Sequence, residues 1–126
     1  MGTTAFPPYL TNSHQLAQSI QSATMLAMYT IDKTSEFSDW LSALRDIRAR
    51  ARIVSRIKSA EHGNFGDSEP VGEGISEMRI HVGAGYRVYF TKRESVVYLL
   101  LCGGDKSTQK RDIARAKAIR KQLNEE

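Results

Sequence analysis

The chain has 126 residues, 40% of them apolar and 25% charged, with one cysteine and a formal net charge of +4. That is enough chain to bury a core without cross-links, and the single Cys102 excludes a disulfide framework. No stretch approaches a membrane span and the N-terminus lacks the basic start and unbroken apolar centre of a secretory signal, so a cytoplasmic protein without membrane association is expected.

Residues 1–27 contain two prolines, no Lys, Arg, Asp or Glu, and a Ser/Thr/Gln-rich run. Asn12 or Ser13 is placed to cap a short helix carrying Leu16, Ile20, Ala23 and Ala27, but the stripe is thin. The segment reads as an N-terminal extension or arm, ahead of a domain over residues 28–126.

Met28 to Lys33 alternates as an edge strand would. Thr34 or Ser35 then caps a helix with Glu36 and Asp39 in its first turn and Phe37, Trp40, Leu41, Leu44 and Ile47 as its apolar stripe. A second helix, about residues 49–60, sets Ile53, Val54 and Ile57 against Arg45, Arg48, Arg50, Arg52, Arg56 and Lys58, completing a helical hairpin. The run 62–70, rich in glycine and polar residues and closed by Pro70, reads as a loop.

From Ile75 the period changes to two, with Met78, Ile80 and Val82 on one side and Glu77, Arg79 and His81 on the other. Gly83-Ala84-Gly85 turns the chain, and Tyr86, Val88 and Phe90 then alternate with Arg87 and Tyr89. Lys92-Arg93-Glu94 turns it again into the apolar run Val96 to Cys102, which Gly103-Gly104 ends. A last helix follows, capped by Asp105 or Ser107, with Ile113, Ala116, Ile119 and Leu123 as its core stripe. The fold class expected is α+β: an antiparallel sheet of three to four strands, an N-terminal helical hairpin and a C-terminal helix, with helices on one face.

Gly103-Gly104-Asp105-Lys106-Ser107-Thr108 after a strand has the look of a phosphate-binding loop. It is too short, however, and Asp105 stands where that motif needs glycine. The helix start that follows is still a natural anion site, and Lys106, Lys110 and Arg111 crowd it. On the face opposite Met78, Arg79 and Arg87 would meet Lys106 beside Tyr89 in a positive hollow, provided the hairpin register does not slip by one. Such a hollow suits single-stranded nucleic acid, phosphates on the cations and a base stacked on tyrosine.

For RNA the same hollow could cut. Attack by the 2′-hydroxyl requires a proton acceptor, cations around the charged phosphorane and an acid for the leaving 5′-oxygen, with no metal or other cofactor. Arg79 and Lys106 suit charge stabilisation, and His81, Glu77, Tyr89 and Asp112 are open alternatives for proton transfer. Each has a plainer reading as a solvated, ion-paired or packed side chain.

The segments Gly74-Ile75-Ser76-Glu77-Met78-Arg79-Ile80, Gly83 to Phe90 and Leu99 to Gln109 resemble one family, the RelE/ParE-superfamily toxins of type II toxin–antitoxin modules, in particular the HigB-like addiction module killer branch. The resemblance covers about residues 28–123. It implies a RelE-like fold and a ribosome-dependent mRNA endoribonuclease neutralised by a cognate helix-turn-helix antitoxin. By the same resemblance Arg79 and Lys106 are catalytic, with Gln109 and Asp112 where the family carries a C-terminal tyrosine. Arg87, Tyr89, His81, Lys110 and Arg111 would bind RNA. Gyrase-inhibiting ParE toxins share the scaffold, so a non-enzymatic toxin is the alternative.

Overall fold

The computed structural model describes residues 28–125; the arm at 1–27 and its short helix lie outside them. Strand β1 (Thr30–Lys33) leads into helices α1 (Ser35–Ala43) and α2 (Ile47–Glu61). Strands β2 (Ser68–Gly72), β3 (Ile75–Ile80), β4 (Tyr86–Glu94) and β5 (Val97–Asp105) follow, then a 3-10 turn (Lys106–Thr108) and helix α3 (Gln109–Asn124). One sheet results, in the order β1-β5-β4-β3-β2, with β1 parallel to β5 and the other pairs antiparallel.

The expected α+β class holds, with one strand more than expected. That strand is β2, which begins in the run expected to be a loop and continues two residues past it. Pro70 lacks an N–H, which demotes a strand in the middle of a sheet but not at its edge, where β2 lies. Arg56 fixes the approach to it, donating from Nη1 to the Arg79 carbonyl at 2.6 Å and from Nη2 to the Phe65 carbonyl at 3.0 Å. This arginine belongs to the frame rather than to a solvated basic face.

Thr34 caps α1 as expected, accepting from the Phe37 amide at 3.0 Å, and its hydroxyl also donates to the Leu101 carbonyl at 2.7 Å. The stripe then departs from expectation, since α1 stops at Ala43 and Ile47 is 72% exposed. Asp46 starts α2 afresh by accepting from the Ala49 amide at 3.0 Å. A stripe counted across such a break loses its phase; within α2 the buried face is Ala49, Ile53, Ile57 and Ala60, which leaves Val54 exposed beside it.

Two apolar layers form, one on each face of the sheet. Met78, Ile80, Val88, Phe90 and Leu100 pack on Phe37, Ile53, Ile57 and Ala60 of the helical hairpin. Ile75, Tyr89, Leu99, Leu101 and Cys102 pack on Ala116 and Ile119 of α3. Helices therefore cover both faces, not one. The unbroken apolar run of β5 requires this, because both of its sides must leave water. A register irregularity helps: Tyr89 opposes Cys102 and Phe90 opposes Leu100, leaving Leu101 as the extra residue of a bulge.

Two boundaries also move. Lys92-Arg93-Glu94 continues β4, and β5 runs on through Gly103 and Gly104 to Asp105. These glycines are sites of close approach. A Cβ at Gly103 would lie 2.4 Å from the Trp40 ring on one face, and one at Gly104 would lie 1.8 Å from Asp112 Oδ2 on the other. Among the described residues no helix is long and apolar enough to cross a membrane.

Candidate functional site

Register settles which hairpin residues share a face. Arg79 pairs directly with Arg87, and Glu77 with Tyr89, so all four stand on the α3 side of the sheet. Arg87 in turn pairs with Gly104 on β5, two residues before Lys106. At about 4.8 Å per strand, Arg79 and Gly104 are about 10 Å apart across the end of the sheet. The cations from β3, β4 and the turn after β5 therefore sit at one end of one face.

At the floor lies Glu77, fully buried. Its carboxylate accepts from Arg79 Nε at 3.0 Å, Tyr89 Oη at 2.9 Å and Gln109 Nε2 at 2.8 Å, with Arg87 Nε 3.9 Å away. Burial alone would raise its pKa, but the hydrogen bonds from Gln109, Arg79 and Tyr89 outweigh that and hold the carboxyl below its usual range. The Tyr89 phenol is pushed up by burial and by donating to Glu77.

Tyr89 is itself fully buried, so its ring offers no face to a base; it is a donor to Glu77, not a stacking platform. Gln109 is brought into the centre. Asp112, 7% exposed, sits on Gly104 and accepts from the Thr108 hydroxyl, which engages it at the start of α3. Thr108 is the N-cap residue of that helix, and Asp105 instead caps the intervening 3-10 turn by accepting from the Ser107 amide at 2.8 Å. Lys110 and Arg111 are exposed in the first turn of α3, at the rim.

Electrostatically the hollow differs from the expected positive patch. Arg79 Nη2 meets Glu69 Oε2 at 2.8 Å, its Nη1 lies 3.7 Å from Asp67, and its Nε meets Glu77. Hydrogen bonds to Glu69 and then Glu77 raise its pKa further. Arg87 is different: its side chain is 12% exposed, Nη1 donates to the Gly85 carbonyl at 2.7 Å, and Nε is buried with no acceptor. Lys106 is exposed, with its Cβ beside Gly85, and takes part in no ion pair among the described residues. His81 Nε2 lies 2.6 Å from Asp67 Oδ2. The loop expected over 62–70 hides Asp67 and Glu69, which flank and enter β2. Their spacing of two, beside a strand bearing arginine, was the available signal.

Residues 39–124 match the family model described as Phage derived protein Gp49-like (DUF891). An uncharacterized protein of Haemophilus influenzae is 50% identical over 93 residues, 74% of this chain and 94% of that protein. Among solved structures, a mutant of the E. coli toxin RelE in the free state superposes with a TM-score of 0.58 at 12% identity, over 74% of this chain and 97% of that one. At that identity the likeness is one of fold. The chain belongs to the Gp49-like family and is built on a RelE-like fold.

Proposed function

We propose that the protein is the toxin of a type II toxin–antitoxin module, HigB-like, that acts as a ribosome-dependent mRNA endoribonuclease and is masked by a cognate helix-turn-helix antitoxin. The observation that carries this reading is the convergence of Arg79, Arg87 and Lys106 at one end of one sheet face. Arg87 supports it most directly, since a buried N–H without an acceptor is costly and a phosphate oxygen would satisfy it. Lys106, in no ion pair among the described residues, would stabilise the charge that develops on the phosphorane. Arg79 would reach the phosphate by exchanging Glu69, an exposed partner of the kind that contributes little to stability. Gln109 and Asp112 would order the start of α3, with Lys110 and Arg111 along its rim for the RNA backbone. No step in this scheme requires a metal.

A second reading, a non-enzymatic ParE-like toxin acting on gyrase, draws on a different feature. Arg45, Arg48, Arg52 and Lys58 are exposed on or just before α2 and enter no ion pair among the described residues. Such a face suits an acidic protein partner, the antitoxin included. Primer extension on translated mRNA after induction, alongside plasmid supercoiling, separates the two. Cut mRNA with normal supercoiling, lost in Lys106→Ala and Arg87→Ala, supports the endoribonuclease. Intact mRNA with relaxed plasmid supports the alternative.

A further inference from the structure

The strand β3 ends at Ile80, and His81 follows it two residues after Arg79, to which Asp67 links it. Its side chain is 71% exposed, yet its surroundings are built. Asp67, just ahead of β2, places Oδ2 2.6 Å from His81 Nε2 and Oδ1 3.7 Å from Arg79 Nη1. The Asp67 backbone is fixed as well, its carbonyl accepting from the Arg79 amide at 2.9 Å, while Arg56 ties Phe65 to Arg79 from below. His81 Nδ1 has no partner among the described residues. A carboxylate that accepts the Nε2 proton selects the tautomer whose lone pair is on Nδ1, and it stabilises the imidazolium that forms when Nδ1 takes a proton.

We propose that His81 is the general base of RNA cleavage by this protein and that Asp67 is its positioning residue, an inference that rests on the endoribonuclease reading. The 2′-hydroxyl gives its proton to His81 Nδ1 as the 2′-oxygen bonds to phosphorus. The bond from phosphorus to the 5′-oxygen then breaks and its electron pair leaves with that oxygen, which takes a proton from water. The hydroxide left behind takes the proton back from the imidazolium. The products are a 2′,3′-cyclic phosphate and a 5′-hydroxyl, with Arg87 and Lys106 stabilising the phosphorane between them. Asp67 is held ionised for this role by its hydrogen bond with His81 and by Arg79.

The test is single-turnover cleavage of ribosome-bound mRNA by the full chain and by His81→Ala, Asp67→Asn and Lys106→Ala, with ribosome affinity measured for each. His81 and Asp67 are exposed, so both variants should keep the wild-type melting temperature. His81→Ala is expected to cut at least about 100-fold more slowly and Asp67→Asn at least about 10-fold, with affinity within about twofold of wild type. Added imidazole should restore part of the rate to His81→Ala and none to Asp67→Asn. Nitrogen-15 shifts of the free protein should place the His81 proton on Nε2 in the wild type and show that preference lost in Asp67→Asn. Wild-type cleavage by His81→Ala, or a defect confined to affinity, while Lys106→Ala is inactive, would overturn the dyad and leave the endoribonuclease standing. A wild-type protein that cuts nothing would overturn both.

Discussion

Gln109 donates its side-chain amide to Glu77 at 2.8 Å, across 32 residues of sequence, so the first residue of α3 is fastened to the buried floor of the hollow. Removing that donor leaves a buried carboxylate with one hydrogen bond fewer. Gln109→Ala is expected to lower stability by about 1.5–3 kcal/mol, read as a fall in the urea midpoint at unchanged slope. Gln109→Glu should cost more, because it sets a second carboxylate against the first.

Glu77 also governs the acid limb of stability. Its folded-state pKa lies below the ordinary 4.5, so its contribution is fully present above about pH 4.5 and is lost as pH falls through the folded-state value. Glu36, Asp67 and Asp105 are shifted the same way, by hydrogen bonds to Arg115, His81 and Ser107 respectively. Glu77→Gln should therefore be less stable at pH 7 by about 3 kcal/mol and show a shallower loss between pH 5 and pH 2. Urea midpoints followed against pH check both statements.

Gly104 tolerates no side chain while Asp112 remains. A Cβ there would stand 1.8 Å from Asp112 Oδ2 and 3.1 Å from Thr108 Oγ1, so Gly104→Ala must push the start of α3 off the sheet. The expected cost is about 1–3 kcal/mol. Combined with Asp112→Ala it should fall short of the sum of the two single changes, since the second removes the obstruction. Thermal melts of the four proteins complete the cycle.

Glu69 is an exposed partner of a more buried arginine, with its side chain 60% exposed. Glu69→Gln should leave the melting temperature within about 2 °C of wild type, as exposed pairs contribute little. Freed of that partner, Arg79 should bind phosphate better, raising RNA affinity and steepening its salt dependence by about 0.7 in the logarithmic slope. Equal affinity and slope in both proteins would show that Arg79 does not touch the backbone.

Much of this was legible in the sequence. Alternation from Ile75 to Phe90 grouped Glu77 with Arg79 and Arg87 with Tyr89, leaving the hairpin register to bring the two pairs onto one face, and the spacing of Ala116 and Ile119 marked the side of α3 that packs. The rest was hidden by long-range contacts. Nothing local says that Glu69 will neutralise Arg79, that Tyr89 will be sealed under α3, or that Gly103 and Gly104 make room for Trp40 and Asp112 instead of ending a strand. Pro70 concealed β2 because a sequence pattern does not distinguish an edge strand from a loop.

The first strand lies against the last. β1 pairs with β5, and Thr34 reaches a carbonyl 67 residues further on. A nascent chain can form its helical hairpin early, but β1 has no partner strand until β5 is synthesised. The hollow itself lacks Lys106 and Gln109 until later still. The site is thus completed only after β5 has been made, and a chain cut before Gly103 keeps Arg79 and Arg87 but lacks the lysine and the glutamine that stand across from them.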